Sequence, residues 1–407
     1  MTRAFIKITI TAKGERAVRG GHPWVYSDEI VSEESVPEDG SLVDVCSLKG
    51  KYLGTGFYNS SSKIRVRIIS RNANDRFDEA FWERRVRYAV AYRRQVMGGD
   101  FSCCRLIFGE SDQFPGLTVD RFSDVLVAQV LSLGMERNKD VIFPALVRVL
   151  SEYGACITAI YERNDSPLRL KEGLQPGKGF YAGAGLRTDL GGHTVITENG
   201  IVYDVDYING QKTGFFLDQK YNRLAAARIA EDRTVLDCFT HTGAFALNCA
   251  KAGAKRVTAV DVSEDAIRSA KNNAEKNGLL DRMDFVTADV FALLTEYAEA
   301  GSRTYDYIIL DPPAFTKSTA TVKNAMKGYK EINLKAMKLL PRGGYLATCS
   351  CSHFATDELF RGMLAAAAAD ADVQLRQIEC RQQSPDHPIL WNVPETNYLK
   401  FYLFQIV

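Results

Sequence analysis

An acidic residue and two cysteines lie close to the ends of two apolar segments late in the chain. Asp311 comes directly after the apolar residues 307–310 and is followed by two prolines, while Cys349 and Cys351 lie in the next apolar segment. A carboxyl group can exchange a proton with a substrate, and a thiolate is a soft nucleophile. Together these groups suit attack on the ring of a nucleobase.

The two cysteines are not equivalent. In a strand that starts at Tyr345, alternate residues share one face, so both thiols would lie on the same side. Cys351 is further toward the carboxyl end of the strand, where the ligands of α/β proteins bind. We therefore predict that Cys351 is the nucleophile, and that Cys349 is a buried strand residue or a neighbour of the site.

The sequence before these residues has the order strand, glycine turn, helix, strand and acid. An apolar strand at residues 234–238 precedes a turn that contains Gly243, a helix follows through residues 246–252, and a second strand ends at Asp261. This order opens a doubly wound sheet, in which ligands bind beyond the carboxyl ends of the strands.

The cofactor of such a sheet can be a dinucleotide or a molecule without phosphates. The G-x-G-x-x-G pattern that lets a backbone close on a pyrophosphate is absent, since Gly243 is the only glycine of the turn. S-adenosylmethionine needs no such glycine pair and is the predicted cofactor. We expect Asp261 to accept hydrogen bonds from its ribose hydroxyls and Asp289 to reach its adenine or its amine. Asp237 and Thr240 complete this candidate site.

A series of short motifs resembles one known family. In chain order they are Gly20-Gly-His-Pro-Trp-Val-Tyr26, Phe114-Pro-Gly-Leu-Thr-Val-Asp120-Arg121, Gln211-Lys-Thr-Gly-Phe-Phe-Leu-Asp218-Gln219, Asp311-Pro-Pro-Ala-Phe315, Ser350-Cys351-Ser352, Pro385-Asp-His-Pro388 and Tyr398-Leu-Lys400. With these motifs the sequence resembles the three-domain bacterial 23S rRNA cytosine-C5 methyltransferases. The resemblance covers nearly the whole chain.

This resemblance implies an α/β chain of three domains. Residues 1–73 would be an N-terminal β-rich PUA barrel that binds RNA, and residues 74–190 a small central α+β domain. Residues 191–407 would be a class I, Rossmann-like methyltransferase domain that binds S-adenosylmethionine. The resemblance further implies that Lys212 and Thr213 contribute to the cofactor site and that 23S rRNA is the partner.

Methylation at C5 of cytosine explains why a cysteine is needed. C5 is a poor nucleophile until a thiolate adds to C6, after which C5 takes the methyl group, a base removes its proton and the thiol leaves. Asp311 is the candidate acid near N3, for which its pKa must rise above the ordinary value of about 3.9. Pro313 stands where the two-cysteine RNA methyltransferases have a cysteine. A different base must therefore remove the C5 proton.

Two other functions remain open from the sequence. Enzymes that methylate an exocyclic amine use an Asp-Pro-Pro-aromatic loop and need no thiol, and Phe315 could stack on such a base. However, Ala314 separates Phe315 from the prolines, which weakens that match. A non-catalytic RNA-binding factor for ribosome assembly is the third possibility, and it would bind S-adenosylmethionine without transfer to RNA.

The candidate RNA surface is a cluster of arginines and aromatic residues between residues 63 and 94. The net charge of the whole chain is only +1, so an RNA surface must come from local clustering. We predict phosphate contacts from Arg65, Arg84, Arg87 and Arg94, of which the last three could share a helical face. The alternative is a solvated helix whose arginines pair with neighbouring acidic residues.

Composition limits the class of protein and its location. The 407 residues are 46% hydrophobic and 25% charged, which is typical of a soluble protein with more than one domain. The chain has no apolar run near the roughly 20 residues that span a bilayer, and its polar start lacks a signal sequence, so we expect a cytoplasmic protein. Nine cysteines without regular C-x-x-C spacing indicate reduced thiols and no zinc site. Exposed β edges permit a homodimer.

The periodicity of the N-terminal half predicts strands followed by mixed structure. The expected strands are residues 5–10, 41–46, 52–58 and 64–69, with a recognition turn at residues 16–24. Beyond them we expect a helix at residues 78–97, a hairpin of residues 117–120 and 125–130, a helix at residues 139–153, a strand at residues 157–162 and a glycine-rich loop at residues 173–192.

Overall fold

The computed structural model describes two compact units. The described residues are 5–301, 304–316 and 318–407. The first unit contains residues 5–196, Val205–Leu217 and Pro385–Thr396, and the second contains Thr197–Asp204, the described part of Asp218–Ser384, and Asn397–Val407. Within these residues no helix is both long and apolar enough to span a bilayer. The predicted division into three domains stays a prediction.

The first unit begins with a six-stranded sheet. Its strands are β1 (Ile6–Ile10), β2 (Trp24–Tyr26), β3 (Ile30–Glu33), β4 (Leu42–Cys46), β5 (Tyr52–Tyr58) and β6 (Ile64–Ser70). They are arranged in the order β2-β6-β5-β4-β1-β3. Apolar residues from these strands, among them Ile8, Val45 and Val66, form a buried core. The four strands expected from the periodicity are therefore confirmed to within a residue at their ends.

A short helix, α1 (Ala12–Arg19), follows β1 and corrects one prediction from the sequence. The Thr11 hydroxyl accepts a hydrogen bond from the Gly14 amide at 3.2 Å and so caps the helix. We expected residues 16–24 to form a recognition turn. Instead the helix extends into this segment, and the turn is confined to residues 20–23.

The next helix, α2 (Glu79–Met97), confirms the prediction for residues 78–97. Its N-terminus is fixed because Asp78 Oδ1 accepts a hydrogen bond from the Phe81 amide at 3.0 Å. The helix buries Phe81 and Trp82, and it also buries two of its arginines, Arg85 and Arg93. Part of the positive charge of this segment is therefore internal to the fold.

A five-stranded sheet completes the regular structure of the first unit. It contains β7 (Cys103–Phe108), β8 (Leu117–Phe122), β9 (Val125–Val130), β10 (Ala159–Asn164) and β11 (Gly177–Phe180), in the order β11-β10-β9-β8-β7. The strand β11 lies inside the segment that we expected to be a loop. The helix α3 (Leu133–Glu152) begins earlier than predicted, because Ser132 caps it.

A hairpin of β12 (His193–Glu198) and β13 (Ile201–Asp206) contributes residues to both units, and a seven-stranded sheet forms the second unit. The strands of this sheet are β14 (Thr234–Cys238), β15 (Arg256–Asp261), β16 (Met283–Thr287), β17 (Tyr307–Leu310), β18 (Tyr345–Ser350), β19 (Leu375–Arg381) and β20 (Lys400–Ile406). Their order is β16-β15-β14-β17-β18-β20-β19. The five strands from β14 to β18 are parallel, and β20 runs antiparallel to β18 and β19.

In the described part of the second unit, six α-helices accompany this sheet. They are α4 (Lys220–Ala227), α5 (Ala244–Lys251), α6 (Glu264–Lys276), α7 (Val290–Glu299), α8 (Val322–Leu339) and α9 (Asp357–Asp370). The side chains of α7, α8 and α9 form one apolar core with the strands, which includes Ile308, Ile332 and Phe360. This is the class I methyltransferase type of α/β fold that the sequence predicted.

A buried ion pair joins the hairpin to α4 within the second unit. Glu198 Oε1 accepts a hydrogen bond from Arg223 Nη1 at 2.6 Å, and the two side chains are 0% and 4% exposed. Removing one partner of such a pair leaves a desolvated charge behind, which is strongly destabilising.

We therefore expect Glu198→Ala to lower the free energy of unfolding of the second unit by about 3–5 kcal/mol. The matched control is Asp204→Ala in the same hairpin, whose pair with Lys276 is about 38% exposed on each side and should contribute about 0.2–1 kcal/mol. Unfolding in denaturant, monitored by hydrogen exchange of the amides of α4, measures the loss of stability in both variants. Equal losses in the two variants would contradict this assignment.

Candidate functional site

The candidate site lies where the strand order of the second unit reverses. The chain runs outward from β14 through β15 to β16 on one side, and then returns to place β17 and β18 on the other side of β14. Cys238 is paired with Val260 on one side and with Leu310 on the other, so three strands end side by side. The carboxyl ends of strands at such a reversal are where α/β proteins bind ligands.

The loop after β14 is held in a tight, partly left-handed conformation. Phe239, His241 and Gly243 all have positive φ angles, of 64°, 51° and 82°. A Cβ atom at Gly243 would lie 3.0 Å from the Cβ of Ala270 on α6. Glycine is therefore needed at this position for its backbone conformation and for the close approach of α6. These two requirements explain Gly243 without a bound phosphate.

Asp237 is the most deeply buried carboxylate of the site. Its Oδ2 accepts hydrogen bonds from the Thr240 hydroxyl at 2.5 Å and from the Ala246 amide at 3.0 Å. Its Oδ1 has no hydrogen-bond partner among the described residues. Burial, with some contribution from the charges of Asp311 and Asp261, raises the pKa of Asp237 to about 7. An unsatisfied buried acceptor of this kind is costly, so a donor from a bound molecule would stabilise it.

Asp261 ends β15 and is held by backbone amides. Its Oδ2 accepts from the His241 amide at 2.9 Å and its Oδ1 accepts from the Ser263 amide at 3.0 Å. A carboxylate has about four acceptor positions, so each oxygen can accept one further hydrogen bond. This geometry can hold two hydroxyl groups of a ligand next to the loop after β14.

The remaining predicted cofactor residues have structural contacts of their own. Asp289 is exposed and caps α7, because its Oδ1 accepts from the Ala292 amide at 2.9 Å. Lys212 and Thr213 belong to the first unit. The Thr213 hydroxyl donates to Asp120 Oδ2 at 2.6 Å, and the Lys212 ammonium lies 4.8 Å from the centre of the Phe216 ring.

Asp311 follows β17 and is fixed by a chain of side-chain hydrogen bonds. Gln219 Nε2 donates to Asp311 Oδ1 at 2.9 Å, and Asn222 Nδ2 donates to Gln219 Oε1 at 2.7 Å. Burial, together with the charge of Asp218, raises the pKa of Asp311 to about 6. Sequence reasoning quoted Gln219 only within a family motif and missed this contact, because it joins positions that are far apart in the chain.

The two cysteines occupy different environments. Cys349 lies within β18, is fully buried and is close enough to Asp311 to feel its charge. Burial and then the charge of Asp311 raise its pKa well above the ordinary thiol range, so the thiolate form of Cys349 is strongly disfavoured. The strand ends at Ser350, and Cys351 follows it as a half-buried residue. The expectation that Cys349 is a buried strand residue is confirmed.

A lysine that the sequence analysis gave no role lies beside Cys351. The Lys400 ammonium is buried and donates to the Ser352 carbonyl oxygen at 2.6 Å. Burial lowers the pKa of Lys400 to about 8, and the nearby Cys351 sulfur and Asp357 act in the opposite direction. The only signal in the sequence was the Tyr398-Leu-Lys400 motif.

Phe315 is half-buried in a group of aromatic side chains. Its ring centre lies 4.5 Å from that of Tyr329 and 5.8 Å from that of Phe291. The Tyr329 hydroxyl in turn accepts a hydrogen bond from the Ser350 hydroxyl at 3.1 Å. Only part of the Phe315 ring therefore remains for contact with a substrate.

The predicted RNA-binding arginines of the first unit differ in how far their charge is already paired. Arg87 is bound by Glu83 and Glu152, and Arg84 Nη2 lies 3.2 Å from Asp75 Oδ1. Arg65 donates to the Asn59 carbonyl oxygen at 3.1 Å. Arg94 is exposed, and its guanidinium lies 4.0 Å from the centre of the Tyr153 ring. Among the residues that the structure describes, Arg94 has no carboxylate partner.

Two protein-family models match the chain. One is a PUA-like domain over residues 8–71, and the other is an S-adenosylmethionine-dependent methyltransferase over residues 173–405. The second match includes the β14 loop, Asp311 and both cysteines of the candidate site. Domain type and cofactor class therefore agree with the predictions from the sequence.

Curated relatives are similar over the full length. The ribosomal RNA large subunit methyltransferase I of Pseudoalteromonas translucida (strain TAC 125) is 42% identical over 97% of this chain and 97% of its own length. The protein of the same name from Klebsiella pneumoniae (strain 342) is 39% identical over 100% of both chains.

Solved structures share the fold. SMU.776, described as a methyltransferase and solved in complex with SAH, has a TM-score of 0.83 and 22% identity over 98% of this chain and 100% of its own. A methyltransferase from Streptococcus mutans has a TM-score of 0.81 and 22% identity over 98% of this chain and 100% of its own.

We expect Asp261→Ala to weaken binding of S-adenosylmethionine by about 1.5–3 kcal/mol, because the hydroxyls of the ribose would lose a charged acceptor. The matched control is Asp284→Ala, which removes a carboxylate near the start of β16, where it pairs with Arg256, and should leave the affinity unchanged. Calorimetric titration measures both affinities. An unchanged affinity in Asp261→Ala would contradict the assignment of Asp261.

Proposed function

The chain belongs to the S-adenosylmethionine-dependent methyltransferases, within the family of ribosomal RNA large subunit methyltransferase I, and from this premise we propose that it methylates C5 of a cytosine in 23S ribosomal RNA. The observation that carries the proposal is the pairing of β17 with β18. This pairing brings the ends of two neighbouring strands together, one followed by the acid Asp311 and the other by the partly exposed thiol of Cys351.

Cys351 is the proposed nucleophile. Its thiolate adds to C6 of the cytosine, which makes C5 electron-rich, and the sulfur leaves again after the C5 proton has been removed. The buried Cys349 is poorly suited to this step because its thiol holds its proton strongly. Exposure therefore supports Cys351 over its neighbour.

Asp311 is the proposed acid at N3 of the cytosine. Addition of the thiolate to C6 places electron density on the ring, and a proton or hydrogen bond at N3 stabilises it. A carboxyl group with a pKa near 6 is protonated in a useful fraction of molecules near neutral pH. The hydrogen bond from Gln219 orients the carboxyl group and leaves its second oxygen for the base.

The residues around β14 and β15 fit the cofactor. S-adenosylmethionine supplies an electrophilic methyl group on a sulfonium. The free acceptor of Asp237 suits its ammonium group, and the two remaining acceptor positions of Asp261 suit its ribose hydroxyls. We propose that Thr240 and Gly243 shape this site and that Asp289 contributes a further contact. A role of Lys212 and Thr213, which belong to the first unit, stays a prediction from the family resemblance.

The proposed phosphate-binding residues of the first unit are Arg65, Arg84, Arg87 and Arg94, and in the second unit the exposed part of Phe315 is proposed to contact the RNA. Guanidinium groups bind phosphates without reading the base, so these arginines would hold the RNA in register. Because Arg87 is held by two carboxylates and Arg94 by none among the described residues, we propose that Arg94 contributes more to phosphate binding.

N-methylation of an exocyclic amine is the second candidate chemistry. It would require the ring of Phe315 to stack on the base, whereas much of this ring packs against Tyr329 and Phe291. A non-catalytic assembly factor would need neither an accessible thiol nor an acid with a raised pKa beside it. The substrate-analogue experiment below separates both candidates from C5 methylation.

A substrate analogue tests the covalent step. We expect rRNA that carries 5-fluorocytosine at the target to trap a covalent complex with the wild-type protein, because fluorine cannot leave as a proton. Cys351→Ala should lose the complex and the methyl transfer while it still binds S-adenosylmethionine. Cys349→Ala is the matched control and should retain both. Denaturing gel electrophoresis detects the complex, and full methylation by Cys351→Ala would contradict the proposal.

The salt dependence of RNA binding tests the arginines. Each phosphate contact that is lost should reduce the slope of log affinity against log salt concentration by about one. We expect this reduction in Arg94→Gln. Arg87→Gln should show little change, because Glu83 and Glu152 already neutralise the charge of Arg87. If the slope of Arg94→Gln is unchanged, RNA does not bind through Arg94.

A further inference from the structure

The Lys400 side chain reaches from β20 to the segment that follows the neighbouring strand β18 and contains Cys351. Lys400 is the first residue of β20 and is paired with Ser350, the last residue of β18. Its ammonium donates a hydrogen bond to the carbonyl oxygen of Ser352 at 2.6 Å. Cys351 therefore lies between the two residues that Lys400 contacts, one through the backbone ladder and one through its side chain.

The ammonium is taken out of water at this position. Lys400 is 6% exposed, and an isolated buried ammonium is costly unless an opposite charge stabilises it. Two groups favour its charged form, the Cys351 sulfur and the Asp357 carboxylate of α9. Asp357 also accepts a hydrogen bond from the Tyr402 hydroxyl at 2.5 Å.

Two further titratable groups lie near the same sulfur, Tyr329 and the fully buried Cys349, whose pKa burial raises well above the ordinary thiol range, so that it stays neutral. Tyr329 of α8 is buried and interacts with Cys351, and burial raises its pKa to about 12. Its phenol is therefore neutral near neutral pH and does not compete for the charge of Lys400. Once the thiol of Cys351 has lost its proton, its sulfur is, together with Asp357, an anionic partner of the Lys400 ammonium.

We propose that Lys400 is a positioning residue that holds the sulfur of Cys351 as a thiolate. A cation beside a cysteine lowers the pKa of the thiol from about 8.5 into a range that can extend from about 7.5 to 3.5. The inference rests on the proposed function only for its consequence in methylation. The state of the sulfur itself can be measured without RNA.

The role of Lys400 is consistent with both halves of the covalent step. The proton of the Cys351 thiol is released to solvent and the ammonium stabilises the resulting thiolate. When the sulfur–C6 bond forms, the negative charge moves into the cytosine ring, and when that bond breaks the thiolate returns to Lys400. The same ammonium thus assists attack and also makes the sulfur a better leaving group.

The experiment measures how fast Cys351 reacts with iodoacetamide from about pH 5 to pH 10, across the range in which thiols and lysines titrate. Alkylation is resolved by peptide mass spectrometry, since Cys156 and Cys380 are also exposed. In the wild-type protein we expect half-maximal reactivity below about pH 7.5. Half-maximal reactivity near the ordinary value of about 8.5 would overturn the proposal without any variant.

Three variants identify the cation. Lys400→Met keeps the aliphatic length but removes the charge, and we expect the midpoint to rise by about one pH unit or more, with a rate at pH 7 that is about tenfold lower. Lys400→Arg should keep a midpoint close to that of the wild type. Lys338→Met, which removes an exposed lysine of α8, is the matched control and should change nothing. An unshifted midpoint in Lys400→Met would overturn the proposal.

Two outcomes separate this inference from the proposed function. Binding of S-adenosylhomocysteine, measured by calorimetry, establishes that each variant is folded. If Lys400→Met does not fold, the proposal is tested by the wild-type protein and by Lys400→Arg. Both should have a midpoint below about pH 7.5, and a midpoint of about 8.5 in the wild type would contradict the proposal. If Cys351→Ala still methylates RNA, the proposed function fails, whereas a low midpoint for Cys351 that depends on Lys400 would still support the ion pair.

Discussion

The site depends on one physical constraint, the crowding of carboxylates at the ends of neighbouring parallel strands. The carboxylates are Asp261 at the end of β15, Asp237 within β14 and Asp311 directly after β17. Asp237 and Asp311 are deeply desolvated. Burial, with repulsion from Asp311 and Asp261, raises the pKa of Asp237 to about 7, and burial, with repulsion from Asp218, raises the pKa of Asp311 to about 6. Hydrogen bonds from backbone amides, Thr240 and Gln219 hold these carboxylates in place. A bound ligand can then donate further hydrogen bonds to them.

The sequence could predict the parts of the site whose signals are local. A strand, a single turn glycine, a helix and an acid in succession predict a cofactor loop, and the structure has β14, Gly243, α5 and Asp261 in that order. Lys400 could not be assigned in this way. It reaches Cys351 only because β20 turns back antiparallel to β18, and no periodicity in either segment encodes that pairing.

The arginines of α2 show a second limit of sequence reasoning. Arg93 and Arg87 look alike in a list of basic residues, yet Arg93 is completely buried against Asp112 and Arg87 is bound by two glutamates. An arginine that is already paired with a carboxylate contributes little to phosphate binding, because the phosphate must first displace that carboxylate. Of the arginines predicted on this helix, Arg94 is left as the one without a carboxylate partner among the described residues.

The proposed reaction is methylation of C5 of a cytosine in 23S rRNA through Cys351. The most direct measurement is to map methylated cytosines in 23S rRNA from cells that lack the protein, and from the same cells supplied with the wild-type protein or with Cys351→Ala. We expect one 5-methylcytosine to disappear without the protein and to return only with the wild type. A methyl group on an exocyclic nitrogen, or restoration by Cys351→Ala, would contradict it.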